Sequence, residues 1–290
     1  MALPIPKRPA GLPAKAVSTT AAPAKVGLRT EKLGEHTRGH FVGLFGQGGA
    51  GKSTLAAMVG ETVQDKKDGM TVFFDLEDSL SVIAPQLEEL GIARRIVPVR
   101  IESFADFIEQ IQAGGFEAFD NIVIDSFTRL EEMCAENCMA NIAGDSATIH
   151  QSLEQWMYGK GAQIVFDNFR PVYHHIAKHL AAGRNVIAIA HNDPTRFTNA
   201  EGADYYQNQP RIVQGEKGKA PGRQNFKEKV DHLLYLAADV NVERGKAKGG
   251  MTRTLHCGGE AAIMAKSRTV QGTSFEVPEG KIFDWSAIIH

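Results

Sequence analysis

The chain has 290 residues, 43% hydrophobic and 23% charged, the composition of a folded globular protein with one large domain or two small ones. Thirty-four acids against 32 Lys and Arg leave a formal charge of −2. That excludes a uniformly basic nucleic-acid coat, though not a local basic patch. No apolar run approaches the ~18 residues a bilayer span requires.

Residues 1–38 stand apart. Five of the 12 prolines (Pro4, Pro6, Pro9, Pro13 and Pro23) lie here among Ala, Lys and Thr, with seven cations against two acids and no apolar period. Such a segment buries too little surface to offset its ordering entropy, so it is expected to be a flexible leader. The charge also suits an arm for nucleic acid or a neighbouring subunit. A mitochondrial presequence would share the basic bias, but the prolines oppose an amphipathic helix. The three cysteines, Cys134, Cys138 and Cys257, cannot build a disulfide framework and suggest a reducing, cytoplasmic setting. Cys134 and Cys138, four apart in an expected helix without a Cys-x-x-Cys or histidine pair, read as packing rather than a metal site.

From residue 39 onward short apolar runs alternate with helical segments, the pattern of one α/β domain over 39–290 with a mainly parallel sheet. The first strand, His40–Phe45, is followed by Gly46-Gln47-Gly48-Gly49-Ala50-Gly51-Lys52-Ser53-Thr54 and a helix from Leu55. This is the phosphate-binding pattern G-x-x-x-x-G-K-[ST] in its strand–loop–helix setting. Glycines let consecutive N–H groups close around phosphate oxygens, and the helix start aims its positive end at the same anion. Lys52 then neutralises the β- and γ-phosphates, Ser53 ligates Mg²⁺, and Thr54 faces the α-phosphate.

A second strand, Thr71–Asp75, ends in acids (Asp75, Glu77, Asp78). After a helix to Leu90, a third strand at 95–99 and a helix at 103–112, the strand Asn121–Asp125 also closes on an acid. Asp75 and Asp125 compete for the Mg²⁺-side carboxylate. Asp125 is preferred, since about seventy residues separate it from the loop and leave room for the crossovers. On that basis 121–125 is expected beside the phosphate-loop strand, with Glu77 on a neighbouring strand as the base that polarises the attacking water.

At this point the chain resembles the RecA-type recombinases. Phe74-Asp75-Leu-Glu77-Asp78-Ser-Leu is similar to their catalytic-glutamate segment, Val123-Ile-Asp125-Ser126 to their Walker B strand, and Asn185-Val-Ile-Ala-Ile-Ala-His191-Asn192 to their sensor strand. His191, where bacterial RecA carries Gln, resembles the phage-type RecA-like ATPases of single-strand annealing and recombination. Met264-Ala-Lys266-Ser-Arg268-Thr resembles the Lys-x-Arg segment that ring and filament ATPases insert into the adjacent subunit's site. The resemblance implies a RecA-like core with antiparallel strands at its C-terminal edge, and Mg²⁺-ATP hydrolysed between subunits of a homo-oligomeric ring or helical filament. It also implies single-stranded DNA as the partner, a single-strand DNA-binding protein as a further partner, and the cytoplasm of a bacterial or phage-infected cell. Two other classes stay open: a ring-forming DNA motor, and a nucleotide switch that binds a protein and no DNA.

Between 190 and 231 periodicity fades, and a long irregular loop is expected to serve function. Residues 205–229 carry Arg211, Lys217, Lys219, Arg223, Lys227 and Lys229 against Glu216 and Glu228. Phe197, Tyr205, Tyr206 and Phe226 are interspersed, and cations for phosphates with rings for base stacking are what single-strand binding requires. Arg211, Lys217, Lys219 and Arg223 with these four rings are the candidate DNA contacts. A second loop, 143–168, has little positive charge, and Trp156 in it suits packing as well as stacking. Strands are expected at 231–236, 238–242, 252–257 and 261–265, with a basic-tipped hairpin at 243–250, followed by a short tail through Phe283 and Trp285.

Overall fold

The computed structural model describes residues 38–62, 69–142, 152–153, 156, 160–199, 202–214, 220–243, 246–270 and 274–289. The leader therefore lies outside the described residues, except for Arg38. That residue already belongs to the domain, because its guanidinium donates to Asp231.

The inner parallel strands form because their sequences are apolar on both faces, which suits strands covered by helices on each side. They include β1 (Phe41–Gly46), β2 (Thr71–Asp75), β4 (Asn121–Asp125) and the first half of β5 (Asn185–Phe197), while β3 (Ile96–Arg100) pairs in parallel with β2 as a partly exposed edge strand. In β1 all six residues are buried. Val42 and Leu44 enter one core, and Phe41 and Phe45 enter the other. The first core holds Leu55 of α1 (Lys52–Ala57), Leu87 of α3 (Ser79–Glu89) and Trp285; the short α2 (Val59–Thr62) follows α1. The second holds Phe107 of α4 (Phe104–Gln112), Phe127 and Cys134 of α5 (Phe127–Asn141), Phe169 of α6 (Lys160–Ala181) and Phe226 of α7 (Gly222–Lys229). Cys134 and Cys138 are fully buried packing residues. The C-terminal tail is part of the core, since the Trp285 indole N–H donates to the Leu55 carbonyl at 3.0 Å.

The remaining strands are β6 (Tyr205–Pro210), β7 (His232–Glu243), β8 (Lys246–His256), β9 (Lys266–Ser267) and β10 (Ser274–Val277). The sheet order is β10-β8-β7-β1-β5-β4-β2-β3, with β6 on β5 and β9 on β7. Pairing from β7 to β3 is parallel, and β7–β8 and β8–β10 are antiparallel, as the expected α/β core with an antiparallel C-terminal edge requires. No helix among the described residues is long and apolar enough to cross a membrane.

Five expectations about the path of the chain are corrected. The strand beside β1 is β5, not 121–125, because the apolar run 186–190 is buried on both faces and inserts between β1 and β4. The irregular region 192–230 instead contains the β5–β6 hairpin and α7. Polar alternation in β5 beyond His191 hid that strand, since it leaves the core there. The loop expected over 143–168 gives way to α6 from Lys160, and Trp156 is buried. Finally, 231–236 and 238–242 are one strand with a bulge near Ala238, and 261–265 makes only isolated bridges before β9.

Candidate nucleotide site

The sheet register assembles the site. Gly46 of β1 pairs with His191 of β5, Ile189 of β5 with Asp125 of β4, and Asp125 with Asp75 of β2. The carboxyl ends of four adjacent strands therefore present their polar residues along one edge, where ligands bind in open α/β sheets. A cavity of about 730 Å³ opens there, lined by Lys52, Ser53, Glu77, Asp125, His191 and Arg253 among others. Its volume falls within the range of small-molecule sites.

The phosphate loop turns into α1 through Gly51, whose φ of +90° lies in the left-handed region that favours glycine. Lys52 is buried, and its ammonium donates to the carbonyls of Gly46 (3.1 Å) and Gln47 (2.9 Å), spanning the loop. Two of its three donors hold the loop, which leaves one for a phosphate oxygen. Burial lowers the Lys52 pKa, and the charges of Asp125 and Glu77 oppose that shift. The Ser53 hydroxyl donates to Asp125 at 2.6 Å, and the same carboxylate oxygen accepts from Ser79 at 2.7 Å. Asp125 is buried, and burial raises its pKa against those two hydrogen bonds. Hydroxyl and carboxylate at this spacing form the hard oxygen donor set that fits Mg²⁺ with phosphate and water completing the shell. Thr54 is engaged with Gln86 at 3.2 Å.

The competition between strand-end acids resolves structurally. Asp75 caps α3, accepting from the Ser79 and Leu80 amides at 2.9 and 3.0 Å. Asp125 is the acid that meets Ser53. Glu77, just beyond β2, accepts from the Ser126 hydroxyl and lies 2.9 Å from His191 Nε2. The hydrogen bond from His191 is the largest influence on Glu77, and it holds the carboxyl below its ordinary pKa against partial burial. A carboxylate kept ionised beside the cavity is the form a general base needs. Lys52, Ser53, Glu77, Asp125 and His191 thus line one cavity.

Lys266 and Arg268 do not join them. Lys266 pairs with Leu233 near the start of β7, whereas Gly46 pairs with Leu236 at the other end of β1's register. Arg268 bonds to buried Asp231 at 3.1 Å. Both basic residues sit toward the amino ends of the parallel strands, away from their own phosphate loop.

The DNA candidates divide. Phe197 and Tyr205 stack near the end of the β5–β6 hairpin, with ring centroids 5.7 Å apart and planes at 16°, and Tyr206 beside them is 62% exposed. Arg211 is exposed and paired with Glu132 at 2.8 Å. Arg223 and Phe226 are corrections. The Arg223 side chain is only 12% exposed. Its guanidinium binds Asp193, the Pro210 carbonyl at 2.9 Å and the Gln209 side chain at 2.8 Å, so it braces the hairpin's base. Phe226 is fully buried, with its ring against Phe127 and Phe41. Composition could not show that these two side chains point inward. Lys217 and Lys219 lie outside the described residues.

Sequence reasoning missed Arg253 on β8, which reaches the phosphate loop. No spacing rule links an antiparallel strand near the C-terminus to a loop near residue 50.

A family model described as "AAA domain" matches residues 38–269. The chain belongs to that AAA-domain family. No curated protein matches it significantly. Among solved structures, a KaiC-like protein from the hyperthermophilic archaeon Pyrococcus horikoshii is similar at 14% identity and a TM-score of 0.40, over 76% of this chain and 78% of that one. With that membership and the strand–loop–helix geometry, this AAA-domain chain is a P-loop ATPase in fold and in site.

Proposed function

We propose that this AAA-domain protein hydrolyses Mg²⁺-ATP and couples the cycle to single-stranded DNA, as a recombination or annealing ATPase working in a homo-oligomer. The loop amides and Lys52 bind the triphosphate, with Ser53 and Asp125 as the protein ligands of Mg²⁺. When bound, Mg²⁺ neutralises charge on the phosphate oxygens. Glu77 accepts a proton from the attacking water as the new P–O bond forms and ADP leaves, and His191 orients that carboxylate.

The observation that carries the coupling is the path of β5. The strand holding His191 against Glu77 continues without a break into the hairpin bearing Phe197, Tyr205 and Tyr206. At the junction Thr128 accepts from the His191 amide at 3.0 Å and donates to the Arg211 carbonyl at 3.0 Å, while the Arg211 amide donates to the His191 carbonyl at 2.8 Å. A shift of His191 toward a γ-phosphate would therefore move the hairpin base, and with it exposed rings suited to stacking on bases. In a ring or filament, Lys266 and Arg268 would serve a neighbour's site, for which their distance from their own loop is a precondition.

The test is fluorescence anisotropy with labelled oligo(dT), comparing nucleotide-free protein, ADP and a slowly hydrolysed ATP analogue. The analogue should tighten binding, and Tyr206→Ala with Phe197→Ala should weaken it. Absence of binding in every nucleotide state at low salt would refute the DNA coupling and leave a nucleotide switch acting on a protein.

A further inference from the structure

We infer that Arg253 is a phosphate-binding residue supplied in cis, gripping the part of the nucleotide common to ATP and ADP. The inference deepens the nucleotide-binding reading above and rests on it. Arg253 lies on β8, paired with Ala238 of β7 and Val277 of β10. Since Leu236 of β7 pairs with Gly46, Arg253 stands just past the level at which the phosphate loop leaves the sheet. From there its guanidinium crosses to the loop. A Cβ placed on Gly51 would lie 2.6 Å from Nη1 and 3.1 Å from Cζ of Arg253. Glycine at 51 thus serves two purposes: it takes the left-handed turn into α1 and it lets a planar cation lie against the loop backbone.

The charge balance around Arg253 points to an anion. Arg95, Arg129, Arg196, Arg211, Arg223 and Arg268 each hold a carboxylate, and Arg94, Arg100, Arg170 and Arg184, which have no ion pair among the described residues, lie outside the cavity. Among the described residues the Arg253 side chain has no ion pair or hydrogen bond, yet it lines the same cavity as Lys52, Glu77 and Asp125. A guanidinium presents a flat fork of donors matched to phosphate oxygens.

Its position also assigns which phosphates it meets. Asp125, Glu77 and His191 approach from β4, β2 and β5, on one side of β1, and Arg253 approaches from β8, on the other. The reacting γ-phosphate belongs with the carboxylate side, so Arg253 grips the diphosphate from the far side. Such a contact is made equally with ATP and ADP, and it raises affinity without selecting the transition state.

Isothermal titration calorimetry with Mg²⁺-ADP and a non-hydrolysable Mg²⁺-ATP analogue, on wild type, Arg253→Ala, Arg253→Gln and Arg253→Lys, tests this. One charge-assisted contact sets the expected loss at about 10- to 100-fold in affinity for both nucleotides in the Ala and Gln variants, with partial recovery in Lys. Nucleotide-free melting temperatures should stay near wild type, because Arg253 has no ion pair to lose in the described fold. An Arg253→Gln protein that melts like wild type and binds ADP within twofold of it would overturn the inference. So would a loss confined to the ATP analogue, which would make Arg253 a γ-phosphate reader. If wild type itself gives no heat with either nucleotide, the phosphate-loop reading falls together with this one. If wild type binds and only Lys52→Ala does not, the loop reading stands and Arg253 alone is dismissed.

Discussion

Glu131 makes the stability of this fold depend on pH in a way that can be calculated. It lies buried on α5, and its Oε2 accepts from the Val213 amide at 2.6 Å, fixing the segment that follows the β5–β6 hairpin. Burial, the dominant influence, pushes its carboxyl from 4.5 up to about 8; the Val213 hydrogen bond and Arg223 oppose the shift, and Glu132 adds to it. Below pH 4.5 the folded and unfolded chains both carry the proton, and the full contribution to stability is present. Between 4.5 and about 8 the unfolded chain releases the proton and the folded chain retains it, so stability falls as pH rises. At 1.36 kcal/mol per pH unit the loss across that window is about 5 kcal/mol, an upper bound because the Val213 segment can open instead. Glu131→Gln keeps an amide oxygen for Val213 but has nothing to ionise. Urea unfolding from about pH 5 to about pH 9 should show wild type losing several kcal/mol relative to the Gln variant, since other titrating groups are shared. Parallel stability curves would refute the assignment of a neutral buried carboxyl.

Lys52→Ala removes the cation that spans the loop and should reduce nucleotide affinity at least ~100-fold by calorimetry, the combined loss of a charge and of loop order. Glu77→Gln should bind nucleotide normally while hydrolysis falls about 10²- to 10⁴-fold, measured as phosphate release. Because His191 holds Glu77 below its ordinary pKa, the Glu77 carboxyl should titrate below the usual carboxylate range when followed by NMR, and His191→Ala should move that titration upward. Phe226→Ala should cost about 3–5 kcal/mol in urea unfolding without altering the oligo(dT) affinity of the folded fraction, whereas Tyr206→Ala should leave stability within about 0.5 kcal/mol and weaken DNA binding. Reversal of that last pair would return Phe226 to the DNA surface.

What could be read from the chain divides along the sheet. The phosphate loop was legible because its chemistry is local: consecutive amides, one lysine and two hydroxyls within nine residues, between a strand and a helix. Glu77, Asp125 and His191 were legible for a different reason. In a parallel sheet every strand delivers its last residue to the same edge, so a polar residue closing an apolar run is placed near the loop before any coordinate is known. The rule says which edge a residue reaches and not its neighbour, which is why Asp125 was assigned to the strand beside β1 when β5 intervenes. It also fails once a segment leaves the core. Beyond His191 the alternation is polar, and the hairpin's rings and cations could not be sorted by orientation: Tyr206 faces solvent, while Phe226 and Arg223, equally plausible by composition, support the structure from inside.

Antiparallel strands carry residues back toward the loop from the opposite direction, and no terminal polar residue marks the one that arrives. Arg253 sits two positions before Leu255, inside a strand whose partners β7 and β10 fix its register. Nothing within a helical or strand period of it mentions phosphate. Its place follows only from pairing Ala238 with Arg253 and Leu236 with Gly46 together, a long-range fact of topology. Sequence reading of a P-loop domain therefore finds residues on the carboxylate side of the nucleotide and passes over those on the antiparallel side. In this chain the side chain that lies against Gly51 comes from β8 of the same subunit, a position distinct from that of Lys266 and Arg268 near the start of β7.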